Sequence, residues 1–280
     1  MFSQEHTELD GKNGFEPPLI LKKACDGVDI RLSDTSTKVV NDGADNHLTV
    51  ADFPPDHVPL WKRVLDVSCI LIALPALLPL ALIVTALIKV TSKGPILFKQ
   101  ERVGFLGRRF TVFKFRTMVV GADSMAHEKH VASLIETNQP MVKLDSCGDK
   151  RLIPVGRVLR ASGLDELPQL INVLRGDMSI VGPRPCLPSE YSKYLPWQRE
   201  RLRALPGLTG LWQVSGKNRL TFREMMDCDI QYARTQSLRL DLKIMLKTIP
   251  ALIAELKDLQ QPTPLITPTR AEGSTEARWM

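Results

Sequence analysis

An uncharged stretch of 22 residues, Val67–Ile88, most constrains what this chain can fold into. A helix of about 20 apolar residues is long enough to cross a bilayer. Length alone therefore favours a single spanning anchor. Two other features favour a helix that enters the membrane, breaks near Pro79 or Pro75 and returns. The first feature is this pair of prolines, because each removes a backbone hydrogen bond and favours a kink.

The second feature is the positive charge at both ends of this stretch. Lys62 and Arg63 precede it, and Lys89, Lys93 and Lys99 follow it. The positive-inside rule would keep both ends on the cytoplasmic face. A soluble core helix is a third alternative, which a charge-free run of this length disfavours.

The remaining charge is unevenly distributed. The chain carries +6 overall, but residues 1–60 hold 11 acidic and 5 basic side chains, so the rest carries +12. A basic body suits phosphate-rich partners such as nucleic acid, anionic lipid or nucleotides. The 5 cysteines show no CxxC spacing, so neither a disulfide framework nor a zinc ribbon is predicted. The N-terminus has no signal-peptide pattern.

The composition predicts four segments: a disordered acidic segment at 1–57, the membrane helix at 58–93, a folded domain at 94–259 and a disordered tail at 260–280. Alternating apolar residues on either side of Gly104 and Gly107 predict a β-hairpin. Helices are predicted over 151–176, broken at Gly163, and over 189–204, 221–236 and 240–258, with a loop between the second and third. The expected fold class is α+β.

The candidate chemistry lies in a run of carboxylates and arginines. No histidine follows residue 130, and no glycine-rich phosphate loop is present. Ser162 and Asp165 have capping-box spacing, and acids at a helix start are stabilised by the helix dipole. From the residues alone, this structural role is favoured. The same dipole and neighbouring arginines would also keep a carboxylate ionised for attack on phosphorus, while a second carboxylate holds Mg²⁺.

Three strings carry a resemblance to a known family: KFRTM, then RxxxxDELPQLxNVLRGDMSxVGPRP, then PGLTGLWQVSGKN. They resemble the bacterial sugar transferases, monotopic phosphoglycosyl transferases that begin exopolysaccharide and lipopolysaccharide synthesis. The resemblance covers about Lys62–Ile253. It implies a small membrane-associated α+β catalytic domain with a re-entrant helix and amphipathic interfacial helices, at the cytoplasmic face of the bacterial inner membrane.

The resemblance also implies a reaction. A UDP-sugar donates its sugar-1-phosphate to undecaprenyl phosphate, UMP is released, and the mechanism is ping-pong. Asp165 matches the nucleophile, and Glu166 matches its partner acid. Mg²⁺ is the expected cofactor, with Asp165 and Glu166 as its ligands. Five residues are expected to bind substrate phosphate: Arg160, Arg184, Lys217, Lys114 and Arg116.

Two positions depart from the family pattern. Leu78-Pro79 stands where Ser-Pro is common, and Lys217 replaces an arginine, which keeps the charge but loses the bidentate fork. A non-catalytic membrane adaptor is the alternative function, and the intact Asp165-Glu166 pair disfavours it. Nucleic-acid binding is not expected, because aromatic and basic residues are not interleaved. The sequence LTGLWQVSGKN favours galactose or glucose as the sugar. A homodimer and the role of 1–57 are left open.

Overall fold

A computed structural model describes residues 57–122, 125–140, 151–216 and 219–258. The segments predicted to be disordered, 1–57 and 260–280, lie outside these ranges apart from His57. The elements within the ranges are helices and short strands, so the α+β class is confirmed. The helices are α1 Leu60–Thr91, α2 Met125–Thr137, α3 Gly156–Ser162, α4 Leu170–Arg175, α5 Pro188–Tyr191, α6 Leu211–Val214, α7 Phe222–Thr235 and α8 Leu238–Asp258.

The strands form two small sheets. β1 (Leu97–Val103) pairs with β2 (Arg109–Phe115) in an antiparallel hairpin, as predicted. β3 (Ser179–Val181) pairs in parallel with β4 (Gly207–Thr209). The described 3-10 segments are Phe105–Gly107, Leu164–Gln169 and Pro196–Arg203.

Helix α1 is the one described helix that is long and apolar enough to cross a membrane, judged by length and composition. Its secondary structure continues through Pro75 and Pro79. Towards its start Ile70 is buried, and towards its end Val84 and Ile88 are buried. Between them the apolar side chains are largely exposed. The path of this helix relative to a membrane stays a prediction.

Two glycines end helices where the sequence predicts a break. Gly163 (φ 70°) follows α3 and Gly176 (φ 87°) follows α4, both in the left-handed region. Glycine is the usual residue there because it has no Cβ. The predicted capping box at Ser162 is wrong, because Ser162 belongs to the end of α3 and its hydroxyl donates to Val158 O at 2.8 Å.

Two other elements differ from the sequence prediction. The helix predicted over 189–204 is two short pieces, because Leu195 precedes Pro196 and is extended (ψ 157°). A residue before proline is disfavoured in the α region. The predicted loop at 206–218 contains β4 and α6. β4 exists through its pairing with β3, a distant partner that local pattern does not reveal.

The largest core cluster joins α6, α7 and α8 to β3. Trp212, Met226 and Tyr232 are buried at its centre, and Ile244 of α8 packs with them. A second cluster joins Val84 and Ile88 of α1 to Phe115 of β2 and Leu159 of α3. A third cluster packs Ile70 of α1 against Val112 of β2 and Val173 of α4, so both ends of α1 are attached to one folded unit.

Candidate active site

The two adjacent acids lie in the 3-10 turn Leu164–Gln169, which starts after the left-handed Gly163. Glu166 N donates to Gly163 O at 3.0 Å, which closes the first turn. Asp165 is 8% exposed, whereas Glu166 is half-buried. The turn therefore keeps one carboxylate mostly sheltered from water and directs the other towards the surface.

Asn172 attaches this acidic segment to strand β2. Its side chain accepts from Phe113 N at 3.2 Å and donates to Thr111 O at 2.7 Å. The amide thus takes the place of a neighbouring strand, and it is fully buried. The register brings Lys114 Nζ within 2.8 Å of Glu166 Oε1. Sequence reasoning missed Asn172. The available signal was an amide inside the otherwise apolar run LINVL.

Arg184 follows β3 in a loop whose backbone is held at successive carbonyls. Pro183 O accepts from Gly207 N at 2.8 Å, and Arg184 O accepts from Arg201 Nη2 at 2.7 Å. Pro185 O accepts from Arg102 Nη1 at 3.1 Å. Cys186 O accepts from Val103 N at 2.9 Å. The loop is fixed, so the arginine side chain starts from a defined position.

Glycine makes this loop possible. A Cβ on Gly182 would lie 2.0 Å from Leu205 O, and one on Gly207 would lie 2.1 Å from Gly182 N. These are backbone atoms that cannot move aside, so both positions require glycine. The contact brings the GPRP string against the PGLTG string, although about twenty residues separate them in the chain.

A buried ion pair also stabilises the loop that carries Arg184. Arg201 pairs with Asp229, and Arg201 Nη1 also donates to Tyr194 OH at 2.9 Å. Burial raises the pKa of Asp229 to about 6, although the guanidinium of Arg201 opposes that shift. This pair is remote from solvent, so its role is to fix Arg184 O.

The predicted phosphate ligands fall into different environments. Lys114 is half-buried beside Glu166, and Arg184 is half-buried in the loop after β3. Arg160 is half-buried in the last turn of α3, five residues before Asp165. Arg116 donates to Pro95 O at 2.6 Å and to Ser92 O at 3.1 Å. These bonds give Arg116 a structural task at the end of α1. Lys217 lies outside the described residues.

Asp165 and Glu166 fit a magnesium site in which the protein supplies only one or two of the ligands. The described residues contain no group of three or more His, Cys, Asp or Glu side chains suited to a metal. Mg²⁺ commonly uses one or two carboxylates and takes its other ligands from water and substrate phosphate. Asp165 and Glu166 meet that lower requirement. The arrangement as a whole, a sheltered carboxylate among lysine and arginine, suits reaction at a phosphorus atom.

Comparison with known proteins agrees with this chemistry. A family model described as "Bacterial sugar transferase" matches residues 58–255. The chain is 43% identical over 192 residues to the "Exopolysaccharide production protein ExoY" of Sinorhizobium fredii, covering 68% of this chain and 84% of that protein. It is 43% identical over 204 residues to the "UDP-glucose:undecaprenyl-phosphate glucose-1-phosphate transferase" of Caulobacter vibrioides, covering 70% and 71%.

A third relative is the "Undecaprenyl-phosphate galactose phosphotransferase" of Salmonella typhimurium. It is 37% identical over 194 residues, which are 67% of this chain and 39% of that protein. The relatives' names include both a glucose and a galactose enzyme, so similarity at this level does not select between the two sugars.

Proposed function

This chain belongs to the bacterial sugar transferase family, and from that premise we propose that it transfers a sugar-1-phosphate from a UDP-sugar to undecaprenyl phosphate. UMP is the second product. The reaction begins the lipid-linked stage of exopolysaccharide or lipopolysaccharide synthesis. The observation that carries the proposal is the sheltered Asp165 next to Glu166, with Lys114 bonded to that second acid.

The chemistry assigned to the chain has two steps. A carboxylate oxygen of Asp165 attacks the phosphorus that carries the sugar, and the bond to the UMP oxygen breaks. The sugar phosphate is then held on Asp165. In the second step an oxygen of the lipid phosphate attacks the same phosphorus and displaces the Asp165 carboxylate. One nucleophile thus serves two substrates in turn, which is the ping-pong pattern.

The other residues hold and orient. Lys114 fixes Glu166 through the 2.8 Å ion pair. Arg184 extends from the locked loop, and Arg160 lies one short turn before Asp165. Guanidinium groups bind phosphate oxygens in bidentate fashion. Asp165 and Glu166 would hold Mg²⁺, which when bound supplies charge neutralisation at the phosphates.

The attachment of α1 supports a re-entrant membrane helix. Near its start, Asp66 accepts from Ser179 Oγ and Ile180 N, both at 2.9 Å. At its end, Arg116 holds the carbonyls of Ser92 and Lys93. A single folded unit on one side of a bilayer contacts both ends only if the helix does not cross.

The length of the uncovered part agrees with that path. Between Ile70 and Val84, 14 positions apart, a straight helix extends roughly 21 Å. The hydrocarbon core is about 30 Å thick. The middle of α1, where no side chain is buried, is therefore shorter than the hydrocarbon core is thick, which agrees with a helix that enters the membrane without crossing it.

Helix α8 supports a position at the membrane surface. Its exposed apolar side chains recur every three or four residues, the spacing of one helix face; they are Leu238, Leu242, Leu246, Ile249 and Ile253. Such a stripe lies well in the interfacial region of a bilayer. UDP-sugars are cytoplasmic, so we assign the enzyme to the cytoplasmic face of the inner membrane.

Asp165→Asn tests the proposed chemistry. The change keeps the shape of the side chain and removes the nucleophilic oxygen, so UMP release from a UDP-sugar should be abolished. No phosphosugar adduct should appear in the intact mass of the variant. Glu136→Gln is the control, because it makes the same carboxylate-to-amide change in a surface acid that pairs with Lys193, and it should keep both signals. Normal UMP release by Asp165→Asn would refute the nucleophile assignment.

Two further measurements complete the test. A panel of UDP-sugars assayed for UMP release identifies the donor, with glucose and galactose expected to be the best substrates. Cysteine-accessibility labelling of residues before Lys62 and after Lys93 should place both on the cytoplasmic side. Labelling from opposite sides would establish a spanning helix instead.

A further inference from the structure

Arg102 of β1 is a buried cation without an ion-pair partner. It is 6% exposed, and within the described ranges no carboxylate lies within ion-pair distance of it. The other buried cations differ: Lys62 pairs with Asp241, and Arg201 pairs with Asp229. A buried charge is costly unless it is paired or binds a ligand. Arg102 is therefore the exception that needs an explanation.

The hydrogen bonds of Arg102 fix its position and leave its charge unbalanced. Nη1 donates to Pro185 O at 3.1 Å, and Nη2 donates to Gln100 Oε1 at 2.7 Å. Both acceptors are neutral. A guanidinium carries five N–H donors, so these two bonds leave donors over. The first bond also attaches Arg102 to the residue that follows Arg184.

Arg184 is a second cation in the same state. No hydrogen bond or ion pair of its side chain is found among the described residues. Burial and, after it, the nearby charge of Arg184 lower the pKa of Arg102 to about 10. Arg102 is thus still charged at neutral pH. The carboxylates of Glu190 and, to a smaller extent, Glu166 act on it in the opposite sense from beyond ion-pair distance, so Arg102 lies within electrostatic range of the acidic segment.

The hairpin register gives the same placement independently. Directly paired residues share a face of a sheet. Arg102 pairs with Phe110, and Phe98 pairs with Lys114, so side chains at every second position from Arg102 to Lys114 lie on one face. Lys114 contacts Glu166 from that face. Arg102 therefore belongs to the side of the hairpin that borders the candidate active site.

We propose that Arg102 is a phosphate ligand, which forms with Arg184 a two-guanidinium subsite for a phosphate group of the substrate. The proposal rests on the proposed function and adds to it a residue from the first strand of the hairpin. An anionic phosphate would supply a counter-charge at ion-pair distance, which neither arginine has among the described residues. Phosphate reaches this enzyme from two sources, the sugar nucleotide and the polyprenyl phosphate, and the experiment distinguishes them.

The test compares Arg102→Met with Arg102→Lys and with Arg109→Met. Arg109 is the matched control, because it is an arginine of the same hairpin whose side chain is 66% exposed. The donor arm measures the KM for the UDP-sugar in UMP release at saturating undecaprenyl phosphate. The acceptor arm measures the KM for undecaprenyl phosphate at saturating donor. Arg102→Met should raise one of these about 10- to 100-fold, the worth of a charged hydrogen bond, with a smaller rise for Arg102→Lys.

The arm that changes identifies the phosphate, and Arg109→Met should change neither. If the role of Arg102 were purely structural, its substitution would lower kcat or the melting temperature without a selective rise in either KM. Methylguanidinium added to Arg102→Ala should restore part of the lost activity if the guanidinium binds substrate. Unchanged KM values in both arms for Arg102→Met and Arg102→Lys would overturn the proposal.

A binding measurement separates this inference from the proposed function. Inorganic pyrophosphate should raise the melting temperature of the unaltered protein, and Arg102→Met should lose most of that increase. If no UDP-sugar releases UMP, the proposed function fails while the pyrophosphate result still decides the subsite. If UMP is released normally and pyrophosphate stabilises both proteins equally, the subsite alone is refuted.

Discussion

The buried charges of the scaffold and the charges of the candidate active site are arranged in opposite ways. Lys62 donates from Nζ to Asp241 at 2.6 Å, Tyr232 OH at 2.8 Å and Val181 O at 2.9 Å, which uses all three of its protons. At the site, Lys114 and Glu166 are 28% and 36% exposed. Arg102 and Arg184 have no carboxylate partner in the described part of the chain.

The difference separates stability from reactivity. A fully paired buried charge has no capacity left for a ligand, and removing its partner leaves an isolated ion in a poorly solvated interior. A half-exposed pair contributes little to folding because water screens it. Scaffold variants should therefore lose stability, and site variants should lose activity. The following changes test that separation, in order of their expected effect on the free energy of unfolding.

Arg201→Met should have the largest effect. It leaves Asp229 buried without its partner, which costs about 3–5 kcal/mol of unfolding free energy. Denaturant unfolding in detergent measures it. The double change Arg201→Met with Asp229→Leu removes both charges and should recover most of the loss. If the single and double variants are equally stable, the ion pair does not carry this part of the scaffold.

The same variant has a predicted pH dependence. The pKa of Asp229 is already raised from its ordinary 3.8 to about 6, and Arg201 acts to lower it. Without Arg201 the folded-state pKa rises further, so the folded form binds the proton more tightly than the unfolded chain. The contribution of Asp229 to stability is then greatest below its unfolded-state pKa of 3.8 and is lost as pH rises through the folded pKa. Unfolding of Arg201→Met at pH 5 and pH 7 should show greater stability at pH 5.

Asn172→Ala should have an intermediate effect on both quantities. It removes the two part-buried hydrogen bonds to Phe113 N and Thr111 O, which together are worth about 1–3 kcal/mol. The acidic turn would also lose its attachment to β2, so kcat should fall as well. Asn172→Asp keeps an acceptor for Phe113 N but places a second carboxylate beside Asp177 Oδ2, which now accepts from the Asn172 amide at 3.3 Å, so it should not restore stability. Full activity of Asn172→Ala would show that other contacts set the register.

Lys114→Met should separate the two quantities most clearly. Its partly exposed ion pair with Glu166 is worth about 0–1 kcal/mol to folding. UMP release should nevertheless fall at least about 10-fold, because Glu166 loses the group that orients it. Parallel measurements of melting temperature and UMP release test this. Loss of stability equal to that of Asn172→Ala would place Lys114 with the scaffold.

Lys193→Met provides the baseline. Lys193 pairs with Glu136 at 3.0 Å on the surface, where both side chains are exposed. Unfolding free energy should stay within about 0.5 kcal/mol of the parent, and UMP release should be unchanged. A larger shift in either measurement would mean that the comparison between scaffold and site omits a third set of charges.

The sequence predicted the local elements well where the signal is local. The hairpin follows from alternation of apolar residues, the helix ends follow from Gly163 and Gly176, and the last two helices follow from their apolar spacing. The sequence prediction failed at Ser162 and over 189–204, where the backbone conformation of a single residue decides whether a helix ends or continues. Flanking charge also misled in part, because Lys62 is fully buried in an ion pair and its charge does not face lipid headgroups.

The sequence by itself determined the family, the apolar helix and the acids Asp165 and Glu166, because each is carried by a contiguous string. Tertiary structure alone decided which cations accompany those acids. Arg116 was expected to bind phosphate and instead holds backbone carbonyls, whereas Arg102 attracted no notice and is buried without a carboxylate partner among the described residues. An arginine's role depends on the groups within a few ångströms of its guanidinium, and those come from distant parts of the chain.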